Sequence, residues 1–204
     1  MTVKHLFSVF DVTKQVFYTT PLSIGIVNLK PLLPGHVLIL PKRVVPRLAD
    51  LRPNEVSDLF LTVQKVGRGL EQYYKAQALT VSLQDGASAG QSVPHVHVHI
   101  LPRHSTDFDG ENDKIYPLLE ENEARLKDDL DLGLDFHLSS NTQPKESRES
   151  NGTARKTTKQ PEGTAKTIGR SWEVSDQDRT PRAMEEMVSE AQAFERFFES
   201  LEGP

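Results

Sequence analysis

The chain has no cysteine, which excludes a disulfide framework and thiolate chemistry. It has no excess of positive charge either. The formal net charge of −5 argues against a general nucleic-acid binder, so any bound polyphosphate must be held by local groups. No run of about 18 apolar residues is present, and the start, Met1-Thr2-Val3-Lys4-His5-Leu6-Phe7, lacks a long apolar segment. A soluble cytoplasmic protein with no membrane partner is expected, the nucleus being a second candidate compartment. Hydrophobic residues make up 36% of the 204 residues, low for a chain packed throughout. One domain with a less packed tail is the expectation.

What the chain does hold is a concentration of histidine. Four of its seven histidines lie between positions 95 and 104, three of them in Pro94-His95-Val96-His97-Val98-His99-Ile100-Leu101-Pro102-Arg103. A β-strand sends successive side chains to opposite faces. Read as a strand, the stretch puts His95, His97 and His99 on one face, about 6.6 Å apart, with Val96, Val98 and Ile100 as an apolar anchor on the other. Pro102, lacking an N–H, is expected to end the ladder.

The rest of the chain supplies a frame. Residues 15–19 and 22–28 read as strands separated by Thr20-Pro21, and Asn28 at the end of the second either faces a ligand or forms a turn. Pro34-Gly35 signals a turn, after which His36 starts a short apolar strand through Leu40. Val56, Leu59, Phe60, Val63, Val66, Leu70 and Tyr74 recur at helical spacing over 51–75. Asp50 is the candidate cap there, Pro53 suits the first turn, and Gly67 and Gly69 imply close packing. Residues 79–84 alternate, with Leu79, Val81 and Leu83 inward. They are expected to pair antiparallel with 94–101 across a Gly-containing connection able to cradle an anion, placing Gln84 near Gln91 and Ser92.

Residues 104–114 carry four acids and read as a mobile loop, followed by an apolar cluster at 115–119. Residues 139–178 hold seven basic and six acidic residues with almost no apolar content, a composition of disorder. Thr180-Pro181 then reads as a helix start. Met184, Met187, Val188, Ala191, Phe194, Phe198 and Leu201 form an apolar stripe. The expected fold is α+β: an antiparallel sheet of about five strands with a long helix over 51–75 and a C-terminal helix over 181–201. The expected division is a catalytic domain over 1–138, a disordered insertion over 139–178, and a helix over 179–204 packing on the domain or on a dimer partner.

Three readings of the histidine row compete. It is a solvated face that happens to be histidine; or a zinc site, for which the stretch itself offers no carboxylate; or a nucleophile with its supports. In the last, a neutral imidazole attacks phosphorus, its other nitrogen is held by an acceptor, and flanking imidazoles and amides stabilise the charge that develops.

The segment from Gln91-Ser92-Val93 through Pro102-Arg103 resembles the motif of the histidine triad superfamily. Asn28-x-Lys30-Pro31-x-x-Pro34-Gly35-His36-Val37, Asp50-Leu51-Arg52-Pro53-x-Glu55-Val56 and Gln84-Asp85-Gly86-x-x-Ala89-Gly90-Gln91 resemble its fragile histidine triad branch. So does the Pro102-Arg103 ending, in contrast to the double glycine of the nucleoside phosphoramidase branch. The polar insertion before the last helix is similar to that of fungal members.

The resemblance implies a homodimeric dinucleoside polyphosphate hydrolase that cleaves diadenosine triphosphate to AMP and ADP, with magnesium or manganese presenting the substrate's phosphates and no metal held tightly by the protein. By the same resemblance His97 is the nucleophile, His99 contacts the phosphate, and His95 and His36 support them. Gln84, Gln91, Ser92, Val93, Pro94 and Asn28 are implied substrate contacts, and Tyr116 is a looser match to a tyrosine on a mobile loop. The branch's N-terminal histidine has no equivalent in register, since His5 is displaced and Phe10 falls closer. A phosphoramidase or adenylyl-sulfate hydrolase of a sister branch, or a nucleotide-bound signalling module, are the alternatives.

Overall fold

The computed structural model describes residues 3–139 and 179–203. The expected disordered insertion therefore lies outside the described residues from position 140 onward. A small hairpin, β1 (Leu6–Phe7) and β2 (Phe10–Asp11), precedes β3 (Val16–Thr19), β4 (Ser23–Val27), β5 (Val37–Pro41), α1 (Pro53–Tyr74), β6 (Ala78–Ser82), β7 (Val98–Arg103), α2 (Ile115–Ser139) and α3 (Met184–Glu202). Five strands form one sheet in the order β3-β4-β5-β7-β6, with antiparallel neighbours throughout. No helix of the described residues is long and apolar enough to cross a membrane.

The sheet has two unlike faces, and β7 shows why. Val98 and Ile100 point into the main apolar core with Val63, Val66 and Leu70 of α1 and Phe194 and Phe198 of α3. Leu101 points the other way, into a smaller cluster with Leu32, Leu33, Phe108, Ile115 and Leu119. His99 shares that second face by strand alternation. Central β4 and β5 are buried along their whole lengths, so they read as nearly continuous apolar runs. The outer strand β6 differs: Leu79 packs on Gly67 of α1, but Val81, expected inward, is 48% exposed because an edge strand has a neighbour on one side only.

Gly69 explains how α3 seats. A Cβ there would overlap the Phe198 ring, so the glycine expected to mark close packing does so. Gly35 has φ +79° and lets the turn before β5 pass against the Tyr74 ring.

Four local expectations are corrected. Helix α1 is closed at its start by Glu55, not Asp50: its carboxylate accepts the Arg52 N–H at 2.7 Å and is itself held by Arg43. Helix α3 starts at Met184, not beside Pro181, because the residues before it are held extended; Arg182 N–H donates to Leu29 C=O at 2.9 Å and Arg179 to Pro31 C=O at 3.1 Å. The stretch expected to be a mobile loop folds into two 3-10 turns gathered around Arg103, which donates to Asp107, Thr80 and Asn112. Finally, the apolar cluster at 115–119 is the first turn of α2, a helix the sequence reading did not include.

Candidate active site

The pairing of β7 differs from expectation, and the histidine row is consequently built from two kinds of backbone. Strand β6 pairs with 99–103, not 94–101, in the register Ser82↔His99 and Ala78↔Arg103. Only His99 is in the ladder. His95 and His97 lie on the approach to it, where Val96 N–H bonds the Val45 carbonyl in the loop after β5. Pro102 does not end the ladder either: β5 pairs with Val98–Ile100 and has run out by that point, leaving one neighbour for the proline to satisfy. The three rings still converge. His97 and His99 have centroids 5.3 Å apart, and Phe7 from the first hairpin packs against His95 and His97 at 5.7 and 5.0 Å.

Hydrogen bonds assign each tautomer. His97 Nδ1–H donates to the His95 carbonyl at 2.6 Å, which leaves Nε2 as the nitrogen directed into the site. His95 Nδ1 accepts the Ser8 N–H at 3.0 Å, so its Nε2–H donates to the Pro41 carbonyl at 2.9 Å. His36 Nδ1 accepts the Leu32 N–H, its Nε2–H donates to His99 Nδ1 at 2.8 Å, and His99 therefore presents Nε2–H to the site. Burial favours the neutral form of His95, His36 and His99. It lowers His95 to about 4 against a partial offset from the Pro41 bond, and it pushes His36 well below the ordinary imidazole value, aided by the charges of Arg179 and Arg182 and by His99. His99 is lowered by burial as well, with Glu123 opposing.

Glu123 was not singled out from the sequence, yet it sits at the centre. Its Oε2 lies 2.9 Å from His97 Nε2 and 3.3 Å from His99 Nε2, and its Oε1 accepts the Ser92 backbone N–H at 3.0 Å. Burial works to raise this carboxyl, but the hydrogen bonds from His97 and His99 outweigh it and hold it at about 2. A signal for this helix did exist: Ile115, Leu119, Asn122, Leu126 and Leu130 recur at helical spacing, and all are buried. Phe7 and Ser8 offered no comparable signal, since a two-residue strand carries no periodicity.

The implied substrate contacts fall around this centre to different degrees. Gln91 Oε1 accepts the Gly86 N–H at 2.9 Å, and its Nε2 donates to the His95 carbonyl, the acceptor that also holds His97. Gln84 donates to Ser82 Oγ at 3.2 Å, while its buried Oε1 has no partner among the described residues. Gln84 lies beside Gly90, the residue before Gln91. Val93 is buried and Pro94 exposed. Asn28 forms the turn considered for it, its Oδ1 accepting the Lys30 N–H at 2.8 Å, and its Nδ2 lies 3.2 Å from His36 Nε2. Tyr116 is 61% exposed and lines a surface depression with Ala78, Thr80, Arg103, His104 and Asn112, which includes none of His95, His97 and His99.

The acid whose absence weighed against a metal site is supplied by α2. Ligand-type atoms of His97, His99 and Glu123 all lie within 4.8 Å of one another. Two imidazoles and a carboxylate suit zinc, whereas magnesium and manganese favour oxygen donors. At the distances observed the three groups are joined to each other by hydrogen bonds.

Comparison with known proteins agrees with this geometry. A family profile described as HIT domain matches residues 9–106. A Schizosaccharomyces pombe protein named bis(5'-nucleosyl)-tetraphosphatase [asymmetrical] is 45% identical, over 94% of this chain and 93% of its own. An Arabidopsis thaliana protein named bifunctional bis(5'-adenosyl)-triphosphatase/adenylylsulfatase FHIT is 57% identical, over 60% of this chain and 67% of its own. Among solved structures, Plasmodium falciparum diadenosine triphosphate hydrolase superposes with a TM-score of 0.50 at 31% identity, covering 65% of this chain and 85% of that one. With the histidine row, the antiparallel sheet and these relatives in agreement, the chain belongs to the histidine triad family, in its fragile histidine triad branch.

Proposed function

We propose that this protein hydrolyses dinucleoside polyphosphates, cleaving diadenosine triphosphate to AMP and ADP through a nucleotidylated His97. The observation that carries the reading is the His97 Nδ1–H···O=C bond to His95 at 2.6 Å, which makes Nε2 the ring nitrogen that faces the site and so the one to attack phosphorus. In the first step Nε2 bonds to the α-phosphorus as the bond from phosphorus to the bridging oxygen breaks and ADP leaves. Water then attacks the phosphorus, the N–P bond breaks, and AMP leaves. His99 Nε2–H, oriented through His36, is the donor best placed for phosphate oxygens, and the Ser92 N–H is a second.

The divalent cation fits this scheme as part of the substrate. Magnesium or manganese would ride on the phosphates, because imidazoles are poor donors for them. Gln84, with an Oε1 unpartnered among the described residues and a donor amide, and Gln91 would meet the phosphate chain and leaving group, and Asn28 the nucleotide. We further place a homodimer along the exposed edge of β6, where Val81 is uncovered; light scattering in solution tests it.

The relatives' names bring two further substrates into the assay, a dinucleoside tetraphosphate and adenylyl sulfate. His97→Asn is expected to abolish turnover of diadenosine triphosphate, by 10³-fold or more on the order typical of a lost nucleophile, while AMP still binds. Mass spectrometry of the wild type should capture an AMP adduct on His97. Near-normal hydrolysis by the variant would sink the mechanism.

A further inference from the structure

The donors of the catalytic centre are already taken. Glu123 is fully buried, one carboxylate oxygen faces His97 and His99, and the other accepts the Ser92 N–H, while Ser92 Oγ–H donates to the Glu123 carbonyl at 2.5 Å. One anion thus touches a nucleophile, a neighbouring imidazole donor and a backbone amide. Those are the contacts a phosphoryl group requires during attack. The two uses of His97 are also mutually exclusive. Its Nδ1–H is committed to the His95 carbonyl, so contact between Nε2 and a carboxylate needs a proton on the line joining them. A nitrogen bearing that proton has no lone pair for phosphorus.

We propose that α2 is an autoinhibitory lid in which the Glu123 carboxylate stands in for the substrate's α-phosphate, so that a nucleotide enters only when α2 lifts. This rests on reading His97 as the nucleophile. The lid has its own fastenings. Asn122 Nδ2–H donates to the Lys30 carbonyl at 3.2 Å, and buried Lys30 Nζ meets Asp129 at 3.3 Å. Ile115 and Leu119 seat in the satellite cluster with Leu32, Leu33 and Leu101, while Leu126 and Leu130, further along α2, reach the main core. Lifting α2 by its first turns frees the satellite cluster and the polar pairs, and a fuller opening also exposes Leu126 and Leu130. An arriving phosphate also replaces like with like: the histidines exchange one anion for another, and the site is not left with uncompensated donors.

The test uses the full chain, with AMP as a binding probe and diadenosine triphosphate as substrate. Glu123→Ala is expected to bind AMP about tenfold more tightly than wild type, as follows if the lid is closed in about nine molecules of ten. KM for diadenosine triphosphate should fall by a similar factor with a smaller change in kcat. In the wild type, AMP should raise amide hydrogen exchange across α2. Equal AMP affinity in wild type and variant, with exchange in α2 unchanged, overturns the lid. If AMP lifts α2 but no variant turns over substrate, the lid stands and the hydrolase reading falls; a His97 adduct formed with α2 still protected gives the reverse. Should Glu123→Ala fail to fold, Asp129→Asn loosens the same helix from its far fastening. Tighter AMP binding by that variant supports the lid, and unchanged binding overturns it.

Discussion

Helices α2 and α3 both follow the sheet in the chain and both reach the main core, but only α2 adds buried polar contacts to the histidines. Helix α3 is fixed by aromatic rings. Phe194 meets Phe17, Tyr73 and Tyr74, and Phe198 meets Phe17 and Tyr18 and fills the notch above Gly69. Helix α2 buries Ile115, Leu119, Leu126 and Leu130, but it adds polar groups that have other possible partners: Glu123 to two histidines and a backbone amide, Asn122 to a carbonyl, Asp129 to a lysine. Apolar burial has no substitute partner in water, whereas a carboxylate on a histidine is replaceable by any well-placed anion. The difference separates a wall of the core from a helix that can give way to a ligand.

The largest expected effect is on the wall. Phe194→Ala should cost about 3–5 kcal/mol of global stability, because the lost ring leaves a cavity among Phe17, Tyr73 and Tyr74. Chemical denaturation should show this as a lower midpoint with hydrogen exchange raised throughout the molecule. A loss confined to α3 would break the comparison by showing that α3 is also separable.

Acid should act on the histidine side next. His95 is depressed from 6.5 to about 4, so folding favours its neutral form. Its contribution is complete above pH 6.5 and is lost as pH falls from there through 4. The depression corresponds to about 3 kcal/mol, at about 1.4 kcal/mol per pH unit. A Tm measured against pH should fall across that window, and His95→Gln should flatten the fall. Glu123, held at about 2, keeps its own charge through the same window.

The smallest change is expected for Asn122→Ala. Loss of its bond to the Lys30 carbonyl should lower global stability by about 1 kcal/mol or less. Amide exchange over 115–130 should rise all the same. A global loss as large as that of Phe194→Ala would merge the two helices into one cooperative unit.

How much was legible follows the same division. Helix α3 was visible because its stripe is apolar at almost every contact position, and α1 for the same reason. Helix α2 was missed because Asn122 and Glu123 interrupt its stripe with polar residues that are nonetheless buried. A pattern of hydropathy cannot tell a buried acid with partners from a solvated one. Strand β7 was placed three to four residues too early, since alternation of His with Val continues through 95–97 although the backbone there is tied to Val45 and not to β6.

The sequence by itself determined the antiparallel strands, the two amphipathic helices, and the crowding of histidines near the end of one strand. These depend on local alternation, turn chemistry and helical spacing, which neighbouring residues encode directly. Only the tertiary structure decided which nitrogen of each histidine faces the site, because that choice is made by distant acceptors and donors: Pro41 and Ser8 for His95, and Leu32, acting through His36, for His99. It alone also brought Glu123 to His97, a contact between residues 26 positions apart on separate elements. Hydrogen bonds between elements leave no period in a sequence, and the chemistry of this site is set by them.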